Sequence, residues 1–165
     1  MSRRASSLQE GLIVGLIGYA VVAVFYAVFD ILAGKSAVFT LNLLGQMLFR
    51  GVRDPAVLQL PMAPDLWAMV GYNFVHLFVS LAVGIFVAWL VANVEERPHL
   101  GRPVLAVLIA GYVITVLVVA VFARDASQLM PLWTILVVNT LAALGGGAYL
   151  WKAHPGLAQK IRGNV

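Results

Sequence analysis

The chain has 165 residues; 62% are hydrophobic and only 11% charged, with 11 basic and 7 acidic side chains and a formal net charge of +4. A soluble globular domain runs at about 45–50% apolar and about 25% charged, so a water-soluble fold is excluded, as is a disordered chain, which requires low hydrophobicity. The absence of cysteine rules out disulfides, thiolate metal sites and cysteine nucleophiles, and no basic run interleaved with aromatics supplies a nucleic-acid footprint.

Four apolar stretches are long enough to cross a hydrocarbon core about 30 Å thick, which needs about 20 helical residues. The expected fold is therefore an all-α membrane protein: a single transmembrane domain, a four-transmembrane-helix bundle with spans at about 11–33, 66–92, 103–123 and 131–151. No sustained apolar–polar alternation supports a barrel. The first span follows Arg3 and Arg4 as a signal peptide would, but its apolar run exceeds the usual h-region of about 7–15 residues, so it is expected to stay as a span.

The connection 34–65 carries a short amphipathic helix at about 41–49. Thr40 is expected to cap it and Gly51 to lie just past its end. Leu41, Leu44 and Leu48, widened by Met47, make an apolar face; Asn42, Gln46 and Arg50 make a polar one. Such a helix either lies on the outer membrane surface or packs back on the bundle as a lid. Asp54-Pro55 and Pro61-Met62-Ala63-Pro64 then break the chain before the second span.

Orientation follows from the basic residues. With the N-terminus inside, Arg3, Arg4, Arg97, Arg102, Lys152, Lys160 and Arg162 make 7 on the cytoplasmic side, against Lys35, Arg50, Arg53 and Arg124, which make 4 outside. The positive-inside rule then places both termini in the cytoplasm. Trp67 and Trp133 fall at the outer interface, Trp89 and Trp151 at the inner one, as aromatic belts at both headgroup levels require.

Polar residues within the spans collect at one level. Gly15, Tyr19, Ala23, Tyr26 and Asp30 form one stripe on the first span; Tyr72, Asn73, His76, Ser80 and Gly84 form another on the second. Asp30 is the one carboxylate inside a span, about four residues from its end. His76 lies nine residues from Trp67, about 13 Å of helix. Asn139 on the fourth span and Thr115 on the third reach comparable depth. Asp30, Tyr26, Asn73, His76 and Asn139 are expected to face the bundle interior, because lipid would leave them unpaired.

Several chemistries fit this cluster. His76, Tyr72, Asn73 and Tyr26 could bind a haem or a quinone, although His76 is the only histidine in a span and a bis-histidine haem needs a second. Asp30, Tyr26 and His76 could relay protons. Interhelical hydrogen bonding alone would also account for the residues. At the cytoplasmic ends His99 and His154 lie near Glu95 and Glu96; a surface metal site there matches no ligand spacing, and His154-Pro155-Gly156 is expected simply to end the fourth helix. No metal-site or catalytic motif is present, so no enzyme activity is expected.

Small residues recur at four-residue spacing: Gly11 and Gly15, then Ser80, Gly84 and Ala88, then Ala142 and Gly146 beside Ala143 and Gly147. They allow helix backbones to approach closely. The run Gly11-Leu-Ile-Val-Gly-Leu-Ile-Gly-Tyr19, Asp30 with Ala33-Gly34, Thr40-x-x-Leu43-Leu44-Gly45-x-x-Leu48-Phe49, Tyr72-Asn73-x-x-His76 and Ala153-His154-Pro155 resemble a group of bacterial four-span integral membrane proteins with no assigned activity. The resemblance implies a bacterial inner membrane. The function expected from the short extramembrane segments, the missing catalytic motif, the small-residue faces and the loop helix is a non-catalytic accessory or scaffolding subunit of a larger respiratory or photosynthetic complex, with the lipid bilayer and other membrane subunits as partners. The alternative is a small cofactor-binding or proton- or solute-transporting protein that uses Asp30 and His76.

Overall fold

The computed structural model describes residues 3–54 and 61–157; Pro55, Lys160 and Arg162 lie outside them. The described residues form five α-helices: α1 (Arg3–Leu32), α2 (Phe39–Phe49), α3 (Leu66–Glu96), α4 (Gly101–Phe122) and α5 (Leu132–Ala153). Single 3-10 turns at Pro98–Leu100 and Arg124–Ala126 lead into α4 and out of it. Four of the helices are long and apolar enough to cross a membrane, which makes this a multi-pass membrane protein with a shorter apolar helix in its first loop.

Local chemistry sets the helix ends. Asp65 caps α3, its carboxylate accepting the Ala68 N–H at 3.0 Å. α3 runs to Glu96, past the expected 92, because the first strong stop is Pro98: Arg97 before it is forced to extended backbone, φ −135° and ψ 81°. α2 closes on Gly51 at φ +65°, a conformation that costs glycine little. The Val52 N–H there turns back to the Gln46 carbonyl at 3.4 Å.

The helices pack in the order α3, α1, α5, α4. α1 lies against both α3 and α5, and its seam with α3 is the most extensive in the molecule. That seam is built from the glycines noted in the sequence. A Cβ on Gly84 would fall 2.3 Å from the Gly15 nitrogen and 2.4 Å from the Gly11 carbonyl oxygen; one on Gly15 would fall 2.6 Å from the Leu81 Cα. The backbones are in contact, as small residues permit in lipid, where dispersion replaces the hydrophobic effect. On α5, Gly146 faces Val14 and Gly145 faces Ile17, while Gly147 faces open space.

Two apolar clusters tie the ends of the bundle. At the α2 end, Phe39, Leu43, Leu44 and Met47 pack with Ala123, Ala126, Met130 and Ile135. At the far end, Leu90, Val91 and Val94 of α3 pack with Val104 of α4, Leu150 of α5 and Leu157. α4 is the least enclosed helix. Only Gly101 and Val104 are buried in it, both in the first turn.

α2 lies back on the bundle as a lid, resolving the two placements left open by its sequence. Its buried face differs from the expected one: Phe39, Leu43, Leu44 and Met47 are buried, Leu41 is half-buried and Leu48 is exposed. Gly45 lets the lid close on α3, since a Cβ there would meet the Ala68 carbonyl oxygen at 2.5 Å. The polar face is not solvated either. Asn42 is buried, its Nδ2 donating to the Ala63 carbonyl and its Oδ1 accepting the Asp65 N–H. Gln46 donates to the same Ala63 carbonyl at 2.7 Å. The segment before α3 therefore wraps the side of α2 that amphipathicity alone assigns to water.

Candidate functional site

Polar side chains occupy three levels along the bundle. At the α2 end Asp30 is fully buried, two residues before α1 ends. Its carboxylate accepts the Thr40 N–H at 2.7 Å and the Thr40 hydroxyl at 2.9 Å. Thr40 is thus the second residue of α2 rather than its cap; Val38 precedes the helix without a side-chain bond. Asp30 caps α2 from the neighbouring helix, placing negative charge at the positive end of the lid's dipole.

Further bonds secure the lid. Lys35 donates to the Leu129 carbonyl at 2.5 Å and stands 4.5 Å from the centre of the Phe39 ring. Burial draws the Lys35 pKa below its ordinary value, against the opposing pull of Asp30. Arg50 pairs with Asp65 at 2.7 Å. That bond, with the Ala68 N–H, holds the Asp65 carboxyl down at about 2.

One turn deeper, the Tyr26 hydroxyl meets the buried Thr134 hydroxyl of α5 at 3.3 Å, and Thr134 donates to the Pro131 carbonyl at 2.7 Å. Thr134 had no sequence signal, sitting one residue after a lipid-facing tryptophan. Across the α1–α3 seam the Tyr19 hydroxyl donates to Asn73 Oδ1 at 2.8 Å. His76, half-buried one turn on, lies with its ring centre 5.2 Å from that of Tyr19 and 6.2 Å from that of Tyr72.

The structure therefore brings Tyr19, Tyr72, Asn73 and His76 together, and places Tyr26 and Asp30 with the lid. Three expectations are corrected. Asn139 is half-buried and its Nδ2 bonds back to the Ile135 carbonyl of its own helix at 2.8 Å, leaving it out of any interhelical network. Thr115 is exposed and returns its hydroxyl to the Gly111 carbonyl. Ala23, in the middle of the α1 stripe, is exposed. The α4–α5 bond is made instead by Tyr112 and Thr140, hydroxyl to hydroxyl at 2.7 Å. Matching depth on two antiparallel helices could have found that pair.

The third level joins the far ends of three helices. His154 ends α5, its N–H bonded to the Leu150 carbonyl, as expected. Its ring also bonds Glu95 of α3 at 2.8 Å through Nδ1 and Glu10 of α1 at 3.1 Å through Nε2. Burial disfavours the imidazolium, but hydrogen bonds and charge from Glu95 and Glu10 outweigh it, and the His154 pKa is raised. His99 takes no part and is exposed. Among the described residues no cluster of three metal-ligating side chains is suited to an ion.

His76 and its neighbours Tyr72 and Asn73 keep hydrogen-bonding atoms that the bundle does not use. No described residue offers a hydrogen bond to the His76 ring nitrogens, to the Tyr72 hydroxyl or to the Asn73 amide nitrogen. Yet no fully enclosed side-chain nitrogen or oxygen among the described residues lacks a partner. The free atoms of Tyr72, Asn73 and His76 must then border accessible space. The other two histidines, His99 and His154, lie at the far end, so His76 has no second imidazole within the chain to complete a bis-histidine haem.

Comparison with known proteins finds no matching family model, no similar curated protein and no similar solved structure.

Proposed function

We propose that the chain is a non-catalytic accessory subunit of a larger membrane assembly, of the respiratory or photosynthetic kind, in a bacterial inner membrane. The observation that carries this reading is the isolation of α4. Its buried residues are confined to its first turn, its one interhelical hydrogen bond among the described residues is Tyr112 to Thr140, and it packs on α5 without reaching along α3. In lipid, helices gain stability from close packing and scattered polar bonds, so a span so loosely held by its own chain gains most from a neighbour. Gly111, with nothing within 4 Å of a Cβ built on it, lets another helix approach. The 7-to-4 distribution of basic residues supports cytoplasmic termini.

Gentle purification from the native membrane, followed by native mass spectrometry, tests this. The expected result is stoichiometric co-elution with redox subunits, lost in Gly111→Trp. A lone monomer or homodimer, or a complex indifferent to that substitution, refutes it.

A further inference from the structure

Two of the three side chains with free polar atoms, Tyr72 and His76, lie on one flank of α3, with Asn73 beside them on the side of α1. Tyr72, His76, Val79, Val83, Leu90 and Val94 recur at helical spacing along one flank of α3. The ends of this flank are covered: Tyr72 packs against the lid cluster, and Leu90 and Val94 are buried against Val104 of α4. Its middle is open, with Val79 52% and Val83 50% exposed. α3 and α4 thus meet at the far end, are bridged by the lid cluster at the other, and leave a cleft between. The lid, with Leu43 and Met47 fully buried, closes this cleft towards its own end of the bundle, so the way in is sideways, from lipid.

We propose that this cleft binds a lipid-soluble quinone, its ring carbonyl accepting hydrogen bonds from Tyr72, Asn73 and His76. Four features select that chemistry. The Tyr72 hydroxyl and the Asn73 amide nitrogen are donors, and a neutral imidazole donates through one nitrogen; they call for an acceptor. No Lys, Arg, Asp or Glu lies within two turns of His76 on α3, so that stretch offers no counter-charge to an ionic ligand. Tyr19 and Tyr72 pack with the His76 ring, and an aromatic cluster of this kind suits a further flat ring at its edge. Val79 and Val83 continue the cleft as an apolar track for a tail. Binding of this kind exploits groups that otherwise stay unsatisfied in hydrocarbon, where burial without a partner is costly. The polar and aromatic groups of the site belong to α3 and α1, so the proposal does not depend on a partner at the open face of α4.

The full chain in phosphatidylcholine nanodiscs, labelled at histidine with carbon-13, allows a direct test with decylubiquinone as probe. Only three histidines are present. The expected result is saturable movement of the His76 resonances with His99 and His154 unchanged. Tyr72→Phe, which removes a hydroxyl that bonds nothing among the described residues, should weaken binding about two- to tenfold, the range for one hydrogen bond. Val79→Trp, at an exposed position, should fill the cleft and abolish the movement. Non-saturable partitioning, equal shifts at all three histidines, or binding unaffected by both substitutions would overturn the proposal. So would equal displacement of the probe by dioleoylglycerol at the same mole fraction, which would assign the cleft to ester lipids.

Discussion

Replacing Gly84 by alanine adds a single methyl group at the tightest point of the α1–α3 seam. The new carbon would stand 2.3 Å from the Gly15 nitrogen, whereas ordinary contact begins near 3.4 Å. The helices must therefore part locally by about 1.1 Å (3.4 − 2.3). The atoms in the way are backbone on both sides, so no side-chain rotation relieves the clash. Overpacking of this kind costs about 1–3 kcal/mol, and the loosened seam also endangers the Tyr19–Asn73 bond that crosses it. Gly18→Ala and Gly147→Ala are the controls, since neither new carbon meets anything within 4 Å; alanine's helix propensity should leave them neutral or slightly stabilised. Reversible unfolding of the three variants in mixed micelles measures the difference. If Gly84→Ala unfolds with the same free energy as Gly18→Ala, the seam is not packed as described and the reasoning from the glycines fails.

Removing the carboxylate that caps the lid, by Asp30→Leu, should expose α2: a cysteine at Leu43, inaccessible in the native protein, should become reactive to thiol reagents, with a loss of about 1.5–3 kcal/mol for the charge-assisted bonds. The raised pKa of His154 makes the far-end bridge a contribution that is complete below the ordinary value of 6.5 and lost as pH rises through the folded value. Thermal denaturation of His154→Gln should therefore differ most from the parent at low pH, and a difference that grows with pH would contradict the assignment. Tyr112→Phe and Thr140→Val should each cost about 0.6 kcal/mol and, together, little more than either alone, because they remove the same bond. Single cysteines at Ser36 and Ser127 should react with an impermeant thiol reagent outside intact cells, and those at Ser6 and Gly163 should not; the reverse would invert the topology.

The length of the apolar stretches made the spans legible, because a bilayer imposes a minimum length on every crossing, and the glycine spacing marked faces for close packing, two of which form the α1–α3 seam. The lid was harder. Amphipathicity assigns Asn42 and Gln46 to water, but the Ala63 carbonyl and the Asp65 N–H satisfy both residues within the protein. Thr40 reads as a cap on local preference, and only the fold brings Asp30 within reach to take that role. Depth alone overestimated the cluster: Asn139 and Thr115 sit at the right level but return their bonds to their own helices, a choice that residue spacing does not encode. His154 gave the opposite error. Its role as a helix terminator was clear from Pro155, whereas its bonds to Glu10 and Glu95 depend on three helix ends meeting.

The pairing of Asp30 with Thr40 also bears on the order in which the molecule can be assembled during synthesis. A carboxylate near the end of the first segment to enter the bilayer costs up to about 2.5–3.5 kcal/mol on insertion scales, less away from the centre. Its partner lies only ten positions downstream. The α1 seam with α3, by contrast, joins Gly15 to Gly84, 69 positions apart (84 − 15). Closing a short loop is entropically the cheaper event, so Asp30 can meet Thr40 while α3, on which α2 later packs, is still being made. The carboxylate that looks most dangerous in the first span is then hydrogen-bonded by the next element of the nascent chain, and that bonding does not have to wait for the bundle.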